Sequence, residues 1–146
     1  MLFRSGADVI VTMLPAGRHV IAVLEEILPT AKRGALIIDS STIDFDSAKK
    51  AHAMAKEKGL LFLDAPVSGG TVGAKAGTLT FMCGGEPAAF EAAKPVLEKM
   101  GKRIVHCGGA GAGQAAKICN NMILGATMIA TCEALDRKST RLNSSH

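Results

Sequence analysis

Lys117 stands four residues before Asn121 in the run Gln114-Ala115-Ala116-Lys117-Ile118-Cys119-Asn120-Asn121, directly after Gly108-Gly109-Ala110-Gly111-Ala112-Gly113. On a helix that spacing puts both side chains on one face, about 6 Å apart along the axis. A lysine at the start of an otherwise apolar helix has two readings. It can snorkel to solvent, or it can do chemistry at a place where the macrodipole disfavours a cation and so favours the neutral amine a general base needs. The glycines before it would let a ligand approach the backbone closely. A second group is Asp64-Ala65-Pro66-Val67-Ser68-Gly69-Gly70-Thr71. Successive N–H groups without side-chain bulk form a nest for an anion such as a carboxylate, although a plain turn needs glycine too. The GxxxxGK[ST] spacing of a phosphate-binding P-loop is absent from the sequence. The third group, Met13-Leu14-Pro15, ends an apolar run, and proline there either closes a strand or shapes a ligand edge. All three groups fall at or beyond strand C-termini, where open α/β sheets bind ligands.

The elements that must position them alternate. Asp8 to Leu14 is a continuous β-branched run, the pattern of a sheet-centre strand buried on both faces. Ala16 to Leu28 carries Val20, Ile21, Val23, Leu24, Ile27 and Leu28 at helical spacing, and Pro29 stops it. Ala35 to Asp39 reads as a strand, Ser40-Ser41-Thr42 as hydroxyl caps, and Asp44 to Lys58 as a helix. Leu60 to Asp64 is a third strand, Ala65 to Gly77 a loop with four glycines, and Leu79 to Cys83 a fourth strand. Pro87 to Met100 reads as a helix bent at the Pro95 inside it, Lys102 to His106 as a fifth strand, and Ala110 to Leu135 as a long helix apolar nearly all round. The expected fold is α/β, with parallel pairing at least in the first part and right-handed crossovers. No GxGxxG follows a strand near the start, as if the first βαβ unit were missing.

Both ends read as foreign to this pattern. Leu2-Phe3-Arg4-Ser5 can be encoded by CTC TTC CGA TCT, whose reverse complement spells Asp-Arg-Lys, the residues at 136 to 138. Residues 1–5 and 136–146 are therefore expected to be translated sequencing-adapter ends and are set aside. The formal charge of +4 then falls: taking four basic residues from 17 and one acidic residue from 13 leaves 13 and 12, a net of +1. That balance gives no argument for nucleic-acid or membrane partners. Only 3 % of residues are aromatic, so Val, Ile, Leu, Met and Ala must build the core. Cys83, Cys107, Cys119 and Cys132 lack any CxxC pair, which excludes the usual zinc and disulfide patterns and leaves reduced, buried thiols of a cytoplasmic protein as the expectation. No apolar run reaches the roughly 18 residues of a membrane span.

The runs DAPVSGG (Asp64 to Gly70), GTLTFMCGG (Gly77 to Gly85) and GAGQAAKICNN (Gly111 to Asn121) resemble the β-hydroxyacid dehydrogenase family, and within it the branch that oxidises hydroxyisobutyrate. The resemblance covers residues 6 to 135. It implies a truncated Rossmann-type dinucleotide-binding domain at 6–107, followed at 108–135 by the start of a long interdomain helix. It also implies that a Gly-rich fingerprint would precede Gly6 and a helical domain would follow Leu135. By resemblance Lys117 is the catalytic lysine and Asn121 holds it in register with substrate. Ser68, Gly69 and Gly70 bind the substrate carboxylate, while Leu14, Pro15 and Thr42 face the cofactor, NAD or less readily NADP. His19 occupies a position where close relatives often carry Asn. No metal is implied. The activity implied is oxidation of 3-hydroxyisobutyrate to methylmalonate semialdehyde in valine catabolism, by a homo-oligomeric parent acting on a small hydroxy acid. The setting is the bacterial cytoplasm, or the mitochondrion in a eukaryote. Alternatives are a 2-hydroxy-3-oxopropionate or related semialdehyde reductase of the same family, and a non-catalytic relative using the fold for binding. The polypeptide alone is expected to be inactive and aggregation-prone.

Overall fold

The computed structural model describes residues 6–143, with side chains through Lys138; residues 1–5 and 144–146, within the two expected foreign ends, lie outside the described residues. Eleven elements are described in chain order: β1 Val9–Thr12, α1 Gly17–Ile27, β2 Leu36–Asp39, α2 Phe45–Glu57, β3 Leu61–Asp64, β4 Val67–Ser68, α3 Gly70–Ala76, β5 Leu79–Gly84, α4 Pro87–Leu97, β6 Gly101–Gly108 and α5 Ala112–Asn143. Strands β1, β2 and β3 are parallel and neighbours in space. Strand β5 runs antiparallel to β3 and β4, meeting β3 through Asp64 and Gly84, and β6 pairs parallel with its other side. This is the expected α/β architecture.

Burial follows the two-residue strand period. On β2 and β3, Ile37 and Phe62 enter one cluster with Val20, Leu24 and Ile27 of α1 and Ala48, Ala51 and Ala55 of α2. Leu36, Ile38 and Leu63 enter a second cluster with Phe81 and with Ala89, Ala93 and Leu97 of α4. The sheet core is thus sandwiched between α1/α2 and α4, each fully buried large apolar side chain contributing roughly 1.5–3 kcal/mol. The three alanines of α2 are spaced i, i+3, i+7, a smooth stripe that lies flat on the sheet. Helix α2 is capped by Asp44, whose side chain accepts from the Ser47 N–H, rather than by the Ser40-Ser41-Thr42 hydroxyls. Those hydroxyls are placed before the helix proper, and Ser41 is drawn inward instead.

Five further expectations are corrected. Strand β1 is a sheet edge, with Val9 and Val11 exposed, because no described element covers that face. The Ala65 to Gly77 loop contains strand β4 and helix α3, the latter ended by Gly77 in the left-handed conformation. Of the four unpaired cysteines only Cys83 is buried. Helix α5 continues past Leu135 to Asn143. Over Ala112–Lys138 it is long and apolar enough, by length and composition, to cross a membrane, which the count of apolar runs did not register. Met122, Ile123, Met128, Ile129 and Leu135 are exposed on it.

Candidate active site

The parallel strands end together. Thr12, Asp39 and Asp64 are register partners across the C-terminal ends of β1, β2 and β3, and all three are buried. Thr12 Oγ1 donates to Asp39 Oδ1 at 2.8 Å, and Ser41 gives the same oxygen its hydroxyl at 2.5 Å and its N–H at 3.3 Å. Ser41 Oγ in turn accepts the Leu14 N–H at 2.8 Å. The loops after β1 and β2 are therefore tied to each other through one serine. Burial raises the Asp39 pKa, against hydrogen bonds from Ser41 and Thr12 that lower it, and the neighbouring Asp64 adds to the rise. Among the described residues Asp39 Oδ2 has no hydrogen-bond partner.

At this edge Leu14 is half-buried, while Met13, Pro15 and Thr42 are exposed. The structure thus brings the three expected cofactor-facing residues together, with an apolar lip on one loop and an unpaired hydroxyl on the other. His19 lies in the first turn of α1 just behind them, its Nδ1 buried without a partner. An apolar ring bearing polar edges, such as a nicotinamide, fits such a lip, so these residues suit that half of the cofactor.

Ser68 sits in β4 opposite Thr80 of β5. Gly69 and Gly70 follow with φ of +127° and +59°, conformations that favour glycine, and Gly69 caps α3. A Cβ on Gly70 would meet nothing within 4 Å, so the backbone there opens onto free space.

Lys117 lies in the second turn of α5 and Asn121 one turn further on, exposed, its Oδ1 accepting from Asn120 Nδ2. Lys117 is half-buried; every other lysine and arginine among the described side chains is exposed. Its ammonium makes no hydrogen bond or ion pair with any described residue. No hydrogen bond joins it to Ser68, Gly69 or Gly70 among the described residues.

Three residues to which the sequence reading gave no role, Asp64, His52 and Gln114, organise this helix start. Asp64 Oδ1 accepts the Gly111 N–H at 2.9 Å and Oδ2 the Gln114 N–H at 3.0 Å. His52 Nε2 lies 2.7 Å from Asp64 Oδ1. Gln114, fully buried, donates from Nε2 to the Ser41 carbonyl at 2.7 Å and accepts the Ile43 N–H on Oε1 at 3.1 Å. The available signal was a carboxylate at a strand end and a glutamine in the first turn of a helix, types that seldom bury without partners.

The NAD-binding domain model of 6-phosphogluconate dehydrogenase matches residues 2–109. The chain belongs to that family. Among curated relatives, a probable 3-hydroxyisobutyrate dehydrogenase of Mycobacterium tuberculosis is 53 % identical over 128 residues, covering 88 % of this chain and 44 % of the relative. An NAD-dependent L-serine dehydrogenase of Pseudomonas aeruginosa is 53 % identical over 133 residues, covering 89 % and 45 %. The solved structure of Mycobacterium tuberculosis 3-hydroxyisobutyrate dehydrogenase with L-serine superposes with a TM-score of 0.87 at 52 % identity, covering 89 % of this chain and 45 % of that one. The chain therefore spans about half the length of the curated relatives it matches, and the family resemblance read from DAPVSGG and GAGQAAKICNN is borne out.

Proposed function

We propose that this chain supplies the nicotinamide-facing edge and the general base of an NAD-dependent dehydrogenase that oxidises 3-hydroxyisobutyrate to methylmalonate semialdehyde, a step of valine catabolism. The observation that carries the reading is Lys117: among the described residues it is the one lysine withdrawn from full exposure, and it has no partner of its own. A half-buried amine in the second turn of α5, unpaired among the described residues, is placed to take a proton from a substrate hydroxyl. Asn121, one turn on, shares its face and would hold the hydroxyl and the amine in register. Ser68 with the Gly69 and Gly70 amides would clamp the carboxylate, since their positive φ values turn the backbone without side chains in the way. Leu14, Pro15 and Thr42 would hold the cofactor, which when bound accepts the hydride from the carbinol carbon. The rest is positioning of the carbon against the ring.

Residues 6–107 would form part of the cofactor domain and 108–135 the start of a helix joining it to a second domain. The exposed apolar residues of α5 then belong against that domain rather than in lipid. The unpaired cysteines suit a reducing, cytoplasmic setting. Serine shares the 3-hydroxy acid frame of hydroxyisobutyrate with an amine in place of the methyl group, so the L-serine relative makes it the second substrate to try.

The test uses the full-length protein that carries this chain, assayed with NAD and NADP against 3-hydroxyisobutyrate and L-serine, and with NADH and NADPH against 2-hydroxy-3-oxopropionate. The expected result is preference for 3-hydroxyisobutyrate with NAD. Lys117→Ala should lower kcat about 10²–10⁴-fold with cofactor affinity unchanged; retained turnover would refute the base role, and preference for another substrate the specificity.

A further inference from the structure

We infer that Asp64 and Gln114 are positioning residues for Lys117, a reading that rests on the base role proposed for that lysine. Neither side chain can touch a ligand, since both are fully buried. Both instead grip the first turn of α5. The N–H groups at a helix start have no intrahelical partners, and a carboxylate there satisfies them while matching the positive end of the macrodipole. Asp64 does this with both oxygens, to Gly111 and Gln114, from the end of β3 forty-seven and fifty residues earlier in the chain. His52 of α2 adds a contact to Oδ1, the oxygen that also accepts the Gly111 N–H.

Gln114 adds a second grip in a different direction. Its amide offers a donor and an acceptor on separate atoms at one end, and here both are used on the backbone that brackets Thr42: the Ser41 carbonyl and the Ile43 N–H. The helix that carries Lys117 is thereby fastened to the loop that carries an expected cofactor contact. A third constraint is steric. A Cβ on Gly84 would lie 2.6 Å from Asp64 Oδ1, and one on Gly113 would lie 2.3 Å from the Met82 carbonyl, so α5 sits on β5 as closely as glycine permits.

Lys117 comes three residues after Gln114 on the same helical face, so a tilt of the helix at Gln114 is passed directly to the amine. A displacement of about 1 Å at a reacting group is enough to cost roughly 10²-fold in rate. Asp64 and Gln114 thus set where the base stands without taking part in the proton transfer.

Two variants test this in the full-length protein. Gln114→Met keeps the volume and removes both side-chain hydrogen bonds; Asp64→Asn keeps the shape and replaces one acceptor oxygen by a donor. For each, kcat should fall about 10–100-fold while KM for hydroxy acid and for NAD stays within about twofold, as expected when geometry rather than binding is lost. Hydrogen exchange should quicken at the Ile43 amide in Gln114→Met and at the Gly111 and Gln114 amides in Asp64→Asn. Should Asp64→Asn fail to fold, Gln114→Met decides alone. Faster exchange with unchanged kcat would overturn the positioning role while leaving the base role standing. Equal loss in kcat and in NAD affinity would mark the pair as merely structural and overturn it as well. Failure of the base role itself is read separately, from Lys117→Ala.

Discussion

Helix α5 contains two glycines, Gly113 and Gly125, and helix propensity alone predicts that alanine at either would stabilise by up to about 1 kcal/mol. The tertiary structure predicts opposite signs. A Cβ at Gly125 would meet nothing within 4 Å, so Gly125→Ala should gain most of that propensity term. At Gly113 the new Cβ would stand 2.3 Å from the Met82 carbonyl oxygen and 2.7 Å from both the Asp64 carbonyl and its Oδ2. Restoring ordinary contact requires the helix start to retreat by about 1 Å from β5. The Gln114 N–H to Asp64 bond, now 3.0 Å, would then pass out of hydrogen-bonding range. Overpacking costs about 1–3 kcal/mol, and loss of a hydrogen bond to a buried carboxylate about 1.5–3 kcal/mol. Set against the helix gain, Gly113→Ala should be destabilising by about 2–4 kcal/mol. Urea unfolding followed by circular dichroism reads both variants, with the midpoint falling in one and rising in the other. If Gly113→Ala is as stable as the parent, or both variants shift the same way, then α5 is not held against β5 and β3 as described and the anchoring of Lys117 goes with it.

Two more outcomes follow from buried groups. Asp39 has a raised pKa, so between the ordinary carboxylate range near 3.8 and its folded value the native state holds a proton that the unfolded state has released, and stability is lost as pH rises through that window. All its hydrogen-bond donors converge on Oδ1 and Oδ2 has none, so Asp39→Asn keeps each bond; its urea midpoint should vary less with pH than the parent's, and a steeper variation would refute the assignment. The Cys83 thiol is pushed up to about 12 by burial, whereas Cys107, Cys119 and Cys132 are exposed; iodoacetamide should label Cys119 and Cys132 in the native protein, Cys107 more slowly because partial desolvation of its thiol raises its pKa, and Cys83 only after unfolding. Early labelling of Cys83 would mean that the β5 core is open.

Periodicity and punctuation in the sequence were enough to determine α1, β2, α2, β3, β5 and α4 to within a few residues, because a period of 3.6 or an unbroken β-branched run is a local property that needs no knowledge of neighbours. The proposed chemical candidates, Lys117 above all, were picked out by local pattern too, since a lone lysine among apolar helical residues and paired glycines after a serine are anomalies of composition. What only the tertiary structure decided is how those groups are held. Asp64 appeared as the last residue of a strand and Gln114 as one more residue before a lysine; that the first caps the helix of the second, and that the second clasps Ser41 and Ile43 from more than seventy residues away, depends on contacts no local pattern encodes. The edge position of β1 escaped for the same reason, since its apolar run records a tendency to be covered and the neighbours decide whether it is. Local spacing sets which segments become strands and helices, and long-range hydrogen bonds and glycine-tight contacts set where the start of the helix carrying Lys117 stands.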